Sequence, residues 1–197
     1  MSSLRNSRVE DSLLDAARAC ILAVGWKRTT LTDVARRAGV SRMTIYRRWP
    51  DMQTLLADLM TREWASVVAD AAVVGDSPVD RLARGVVRTV SALRGNALFA
   101  KIVEVDPELL LPYLLDRRGR SQDSILEMLA ELIVDGQREE QIRTGDPVLI
   151  ARTVLLTAQG FVLSTGTMTD DVTAADSFDA EAFDAELYSL LERYLGR

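Results

Sequence analysis

Apolar residues recur every three or four positions along most of the chain, the spacing that places them on one face of an α-helix. The first such stripe runs from Leu14 to Val24 and the last from Phe183 to Tyr194. No segment alternates apolar and polar residues with a period of two over a useful length, so no β-strand is predicted. We therefore expect an all-α protein of about nine helices.

Residues that can cap a helix N-terminus mark several of the predicted helix starts. Such a side chain accepts a hydrogen bond from a free backbone N–H group of the first turn. Thr30 is followed three positions later by Asp33, a variant of the capping box. Proline follows Ser77 and Asp146 at the first helical position, where its missing N–H is not needed. The polar, acidic residues 166–178 predict a loop before the last helix.

The composition is that of an ordinary soluble globular protein, with 48% hydrophobic and 27% charged residues. A membrane-spanning helix needs about 20 consecutive apolar residues, and the best candidate, 154–163, is interrupted by polar residues. The N-terminal segment has no apolar core of a signal peptide, and the single cysteine, Cys20, has no partner for an internal disulfide. These features predict a cytoplasmic protein that does not bind a membrane.

The chain contains no histidine and only one cysteine, which excludes most catalytic sites. Ser-His-Asp triads and the usual general base at neutral pH both require histidine. Zinc and iron–sulfur sites draw mainly on cysteine and histidine ligands. We therefore expect no enzyme, no metal and no cofactor, and keep a small helical enzyme with carboxylate chemistry as a remote alternative.

Charge is divided unevenly along the chain. Residues 1–55 carry ten basic and five acidic side chains, whereas residues 56–197 carry fourteen and twenty-four. Between Trp26 and Arg48 there are seven basic residues against Asp33 alone. A basic segment joined to an acidic one indicates that the first meets a polyanion, with a merely solvated basic face as the alternative.

The segment Leu31–Trp49 has the spacing of a helix-turn-helix. Ala35 is small enough to let the second helix approach the first, and Gly39 suits a turn that needs a positive φ. Val40 and Ile45 are placed to pin the second helix onto the first. The outward face of that helix offers groups suited to phosphates and base edges, namely Arg42, Met43, Thr44, Tyr46, Arg47 and Arg48.

These features resemble the DNA-binding head of TetR-type transcriptional regulators over roughly residues 12–60. The similar stretch reads TTLTDVARRAGVSRMTIYRRWPDMQTLL. The matching positions are Gly25-Trp26, Thr30, Ala35, Gly39-Val40-Ser41, Thr44-Ile45-Tyr46, Trp49 and Leu55-Leu56. The rest of the chain matches only in architecture, as an acidic helical body with an Asp-Pro helix start near position 146.

The resemblance implies DNA contacts residue by residue. Contacts to the DNA backbone are implied for Thr30, Thr44 and Tyr46. Contacts to base edges are implied for Arg42, Met43 and Arg47, and either role for Arg48. One position departs from the family, because Met52 stands where a phosphate-binding lysine is common. Arg47, Arg48 or the backbone N–H groups of the helix start are the alternatives for that contact.

The resemblance also implies a function and an assembly. Residues 1–51 are expected to form the DNA-binding domain and residues 52–197 the effector-binding and dimerisation domain. The protein is expected to be a homodimeric repressor that binds a palindromic operator on double-stranded DNA and is released by a small hydrophobic effector. The alternative is a DNA-binding regulator without a small-molecule effector that a partner protein controls.

Two further sets of residues are predicted in the second domain, and for the first of them, the pocket candidates, simple core packing is the alternative explanation. The candidates to line an effector pocket are Trp64, Phe99, Tyr113, Met128 and Phe161. Net acidity nearby favours a neutral or cationic hydrophobic molecule over an anion. A four-helix bundle built from the last two long helices of each subunit gives the dimer-interface candidates Val154, Ala158, Phe161, Phe183, Leu187, Leu190, Leu191 and Tyr194.

Overall fold

A computed structural model describes residues 2–70, 75–169 and 178–197, and side chains from residue 8 onward except 68–70 within those ranges. Over these residues the protein consists of helices and connecting turns without a strand, which confirms the all-α prediction. The nine α-helices of this part are α1 Ser2–Val24, α2 Leu31–Arg37, α3 Arg42–Arg48, α4 Met52–Asp70, α5 Pro78–Arg94, α6 Ala97–Val105, α7 Arg120–Arg138, α8 Pro147–Ser164 and α9 Ala180–Leu195.

Three short helical turns lie between these helices. Pro107–Leu109 and Thr165–Thr167 are 3-10 turns, and Pro112–Asp116 is a π-helical turn that begins at a proline. Of the predicted loop 166–178, residues 170–177 lie outside the described residues.

The predicted helix starts are confirmed by their caps. Thr30 and Asp33 form a complete capping box at the start of α2. The side chain of Ser77 accepts from the backbone N–H of Asp80, and that of Asp146 accepts from the first turn of α8. Each cap satisfies a backbone donor that the helix itself leaves free.

The chain divides into two compact units. The first unit contains Met1–Ala65 and Asn96–Ser121, and the second contains Ser66–Gly95 and Gln122–Arg197. The predicted functional division after residue 51 is a different kind of boundary and stays a prediction.

The core of the first unit is built from α1, α2, α3, α4 and α6 together. Ile21, Ile45, Trp49 and Leu59 have no exposed surface, and Ile102 of α6 is almost completely buried among them. The core beneath the helix-turn-helix is therefore not formed by α2 and α3 alone. The first half of α4 and α6 contribute to it as well.

The core of the second unit is built from α5, α7, α8 and α9. Val154, Leu187 and Leu191 have no exposed surface in it, and neither has Ile133 of α7. Apolar burial of this kind is the main favourable term in folding. It accounts for the inward faces of α8 and α9, but not for the apolar side chains that these helices leave exposed.

The segment Pro147–Thr167, which includes α8, is the one described helix long and apolar enough to cross a membrane by length and composition, with a mean hydropathy of 1.5. Only 22% of its most apolar window is buried in the single chain. Length and composition alone are weak grounds for a membrane span, since the core helix of a soluble protein passes the same test.

Candidate nucleic-acid interface

The start of α2 is fixed by a closed hydrogen-bond ring between Thr30 and Asp33. The Asp33 backbone N–H donates to Thr30 Oγ1 at 3.2 Å, and Thr30 Oγ1 and N donate to Asp33 Oδ2 at 2.5 and 3.3 Å. The bond from the Thr30 side chain is the main cause that lowers the pKa of Asp33 below its ordinary value. Thr30, a predicted phosphate contact, is exposed and held in one orientation by this ring.

The turn between α2 and α3 needs glycine because of its left-handed backbone conformation and not because a side chain would clash there. Gly39 has a φ of +68°, and nothing lies within 4 Å of the position that a Cβ would take. The Val40 N–H donates to the Ala35 carbonyl at 3.0 Å, and Ala35 is buried. The small residue and the left-handed turn together let α3 lie close against α2, as the sequence predicts.

Helix α3 is anchored at both ends and presents its outward face to solvent. The Ser41 side chain accepts from the Thr44 N–H at 3.2 Å, and its hydroxyl is 2.9 Å from the Thr44 hydroxyl. Ile45 is fully buried. The predicted DNA-contacting residues of this helix are exposed, except that Thr44 is half-buried: Arg42, Met43, Tyr46, Arg47 and Arg48.

Four of the seven cations between Trp26 and Arg48 are already bonded within the first unit. These bonds join Lys27 to Glu108, Arg28 to the Val24 carbonyl, Arg36 to Asp33, and Arg48 to Glu10. Arg37, Arg42 and Arg47 are exposed and make no hydrogen bond or ion pair with the side chains described from residue 8 onward. Arg37, Arg42 and Arg47 therefore keep their full positive charge, as does Arg28, whose partner is a neutral carbonyl.

Arg37 is a candidate DNA contact that the helix-turn-helix pattern did not single out. It is the last residue of α2 and stands next to Arg36, which is bonded to Asp33. In the sequence, only the run of basic residues around Arg37 indicated a role for it. The sequence does not show which cations of that run have acidic partners and which, like Arg37, have none among the described side chains. That information comes from the fold.

Trp49, directly after α3, fixes the C-terminal end of that helix. Its ring is completely buried and its Nε1–H donates to Asp58 Oδ2 of α4 at 2.8 Å. Arg120 Nη2 donates to the other oxygen of the same carboxylate at 2.5 Å. Burial raises the pKa of Asp58, but the bonds from Trp49 and Arg120 outweigh it and leave that pKa below its ordinary value.

The connection from α1 to α2 is held by the end of α6. The Trp26 N–H donates to the buried carboxylate of Asp106 at 2.7 Å, and Lys27 pairs with Glu108. Gly25 has a φ of +84°, and a Cβ there would lie 3.1 Å from a methyl group of Val105. A side chain at position 25 would therefore meet both backbone strain and crowding.

Met52 occupies the position where the sequence departs from the expected lysine. Its half-buried side chain packs against the core of the first unit. Asp51 caps the same helix start, since its carboxylate accepts from the Thr54 N–H at 2.7 Å. Position 52 is thus used for packing, and the nearby N–H group of Thr54 is already bonded to Asp51.

The predicted pocket residues fall in both units. Trp64 and Phe99 lie edge to face in the first unit, with ring centroids 5.7 Å apart, and the exposed Tyr113 belongs to the same unit. Met128 and Phe161 belong to the second. The structure therefore brings Trp64 and Phe99 together, and a pocket that all five share stays a prediction.

The second unit has an open groove of about 600 Å³ between α5 and α9. Its lining includes Asp80, Arg84, Val87 and Tyr188, and none of the five predicted pocket residues. Tyr188 and Arg84 both donate to the Asp80 carboxylate, at 2.7 and 2.6 Å. Asp80, Arg84 and Tyr188 of this groove therefore satisfy one another.

The predicted dimer-interface residues do not share one environment. Val154, Leu187 and Leu191 are fully buried inside the second unit, so their side chains form the core of a single subunit. Ala158, Phe161, Phe183 and Tyr194 are half-buried, and Leu190 is exposed. The large apolar side chains that α8 exposes are others: Val148, Leu149 and Leu156.

The comparison with protein families matches residues 13–59 to the model of bacterial regulatory proteins of the tetR family. An HTH-type transcriptional regulator of Mycobacterium bovis is 35% identical over 197 residues, covering 99% of this chain and all of that protein.

Two solved structures with TM-scores above 0.6 are similar along nearly the whole chain. FadR of Bacillus subtilis in complex with stearoyl-CoA has a TM-score of 0.67 at 17% identity and covers 93% of this chain and 98% of its own. SmeT, the repressor of the Stenotrophomonas maltophilia multidrug efflux pump SmeDEF, has in its triclosan complex a TM-score of 0.63 at 20% identity, covering 96% and 92%. At this identity the likeness shows the fold alone.

The Asp58 bonds predict a specific pH dependence. Because the pKa of Asp58 is lower in the folded protein, its contribution to stability is present above the unfolded pKa of about 3.9 and is lost as the pH falls through the folded value. Asp58→Asn should therefore lower the free energy of unfolding most at pH values above the unfolded pKa of about 3.9, where the Asp58 carboxylate is charged. Urea unfolding from neutral to acidic pH measures this, and a difference from wild type that stays constant with pH would contradict it.

Proposed function

The chain belongs to the TetR family of bacterial HTH-type transcriptional regulators, and we propose that it is a homodimeric cytoplasmic repressor that a small, mainly hydrophobic molecule releases from its operator. The observation that carries the DNA-binding part is the capped α2–turn–α3 pair, on which Arg42 and Arg47 are exposed and unbonded to the described side chains. The family is one of soluble DNA-binding proteins. The function of the chain is thus regulation of transcription and not catalysis.

We propose that α3 enters the major groove. Arg42, Met43 and Arg47 face the base edges, where arginine donates two bonds to guanine. The Tyr46 and Thr44 hydroxyls contact phosphates, and the Thr30 hydroxyl does so by exchanging its bond to Asp33 for one to a phosphate. These contacts fix the register of the helix. Arg37 adds a phosphate contact from the end of α2.

We propose that the dimer forms on the exposed apolar face of α8 together with α9. Leu149 and Leu156 lie seven residues, or two turns, apart and are 63% and 69% exposed. Leu190 of α9 is also exposed, and Ala158 and Phe161 border the same helix pair. Stable subunit interfaces bury apolar surface of this kind, and a twofold axis gives each helix its own copy as partner.

The effector proposal draws on the structural neighbours and on charge. FadR was solved with stearoyl-CoA and SmeT with triclosan, so this fold accommodates hydrophobic ligands. Residues 56–197 of this chain carry ten more acidic than basic side chains, and this excess disfavours a highly charged anion. We propose a neutral or cationic hydrophobic effector, and control by a partner protein is the alternative.

Arg47→Ala and Tyr46→Phe should weaken binding to the DNA upstream of the protein's own gene while leaving the melting temperature unchanged, because both side chains are exposed. Arg37→Ala, which removes the proposed phosphate contact at the end of α2, should flatten the slope of log K against log salt by about 0.9. Fluorescence anisotropy over a salt series measures both effects. Arg138→Ala on α7 is the matched control and should change neither. Wild-type binding without salt dependence would contradict the proposal.

Leu156→Arg should convert the protein into a folded monomer, because this side chain is exposed in the single subunit and would be buried in the dimer. Leu187→Arg should instead destabilise the subunit, since it places a charge in a fully buried position. Sedimentation and far-UV circular dichroism separate the two results. A wild-type protein that sediments as a monomer at micromolar concentration would overturn the proposed dimer.

A neutral hydrophobic compound such as triclosan should release the protein from DNA more effectively than stearoyl-CoA does. Met128→Ala should weaken this release without changing DNA affinity. Leu132→Ala is the matched control, because Leu132 is exposed one turn further along α7 but is not among the predicted pocket residues. Release by stearoyl-CoA alone would contradict the charge argument. No release by any of a panel of hydrophobic compounds would favour the partner-controlled alternative.

A further inference from the structure

One predicted DNA contact, Arg48, is tied to a carboxylate on another helix. Arg48 Nη2 of α3 donates to Glu10 Oε1 of α1 at 2.7 Å. The two side chains are 55% and 33% exposed, so the pair lies at the surface of the first unit. The two residues are 38 positions apart in sequence.

The guanidinium of Arg48 is held from a second side as well. It lies over the ring of the buried Trp49, 5.8 Å from the ring centroid. The bond to Glu10 raises the pKa of Arg48 further above its ordinary value. Arg42 and Arg47 on the same helix bond to none of the described side chains. Helix α3, the proposed recognition helix, therefore carries two kinds of arginine: Arg42 and Arg47 have no acidic partner among the described side chains, whereas Arg48 is paired with a carboxylate.

We infer that Glu10 is a specificity-determining residue that withholds Arg48 from DNA phosphates and so lowers sequence-independent binding. This inference rests on the proposed DNA-binding function of α3. A phosphate that approaches Arg48 must either displace the Glu10 carboxylate or remain close to a like charge, and both cost free energy. The base-reading residues Arg42 and Arg47 are not subject to this cost.

The consequence is larger for random DNA than for an operator. Binding to random DNA is almost entirely electrostatic, so it falls when one cation is neutralised. Operator binding adds base contacts, which do not depend on Arg48 in this arrangement. Glu10 therefore increases the ratio of operator to random affinity, the quantity that decides occupancy among many competing sites.

The test is Glu10→Gln, which removes the charge and keeps the size of the side chain. The probes are a short duplex of random sequence and a duplex that the wild-type protein selects from a random library. On random DNA the slope of log K against log salt should become steeper by about 0.9 for each bound head. An increase in salt of about fourfold should then cost the variant about 3.5-fold more affinity per head than it costs wild type. The operator-to-random ratio should fall.

Two controls separate the ion pair from a general effect of charge. Asp11→Asn removes a carboxylate from the next position of α1, where the side chain is exposed and no bond to α3 is lost, and it should leave the slope unchanged. In an Arg48→Gln background, Glu10→Gln should no longer steepen the slope. Surface ion pairs contribute little to stability, so all four variants should fold, and their melting curves verify this.

Each result decides between defined alternatives. An unchanged slope for Glu10→Gln overturns the inference, as does an equal steepening in the Arg48→Gln background. Weaker operator binding by Glu10→Gln also overturns it, because Glu10 would then orient Arg48 for contact. A wild-type protein that does not bind random DNA and selects no duplex from the library overturns the proposed DNA-binding function itself, which is a different result from an unchanged slope.

Discussion

The burial of Trp49 fixes the position of the recognition helix, and the DNA-binding surface depends on it. The ring is fully enclosed by the first unit, and its one polar atom is satisfied by Asp58. Because Trp49 follows α3 directly, its burial determines which face of α3 points inward. Ile45, one turn earlier, is buried on the same side. With Ile45 and Trp49 directed inward, the opposite face of α3 is exposed to solvent, and Arg42 and Arg47 lie on that face.

The first unit uses most of its local cations internally and leaves a few for an external partner. Exposed ion pairs such as Arg36 with Asp33 contribute little free energy, so their main effect is on the electrostatic field. Lys27 paired with Glu108, and Arg48 paired with Glu10, add little to the field at a distance. What remains is the positive charge of Arg37, Arg42 and Arg47, together with that of Arg28, whose partner is a neutral carbonyl. The basic segment between Trp26 and Arg48, which the sequence shows as one continuous run of positive charge, thus provides a smaller positively charged surface in the folded protein.

The sequence was sufficient wherever the determining interactions are local. The Thr30–Asp33 capping box, the glycine turn at Gly39 and the helix start at Asp146 are each fixed by residues within a few positions, and all three are confirmed. Bonds between distant residues could not be predicted, because no periodicity relates position 10 to position 48. The presence of Arg48 on an outward face was therefore predictable, whereas its neutralisation by Glu10 was not.

The spacing of apolar residues also did not show which face of α8 packs on the core of the second unit and which face is exposed. A helix that is apolar on one side reveals which side is inward, but α8 is apolar on both. Val154 faces the core of the second unit, while Leu149 and Leu156 of the same helix face outward. The dimer-interface residues predicted on α8 therefore combined the fully buried Val154 with the half-buried Ala158 and Phe161. A helix with two apolar faces needs two partners, and the subunit core supplies only one of them. The outward face, which a solitary subunit exposes to water, is therefore the face on which we propose that a second copy of the chain packs.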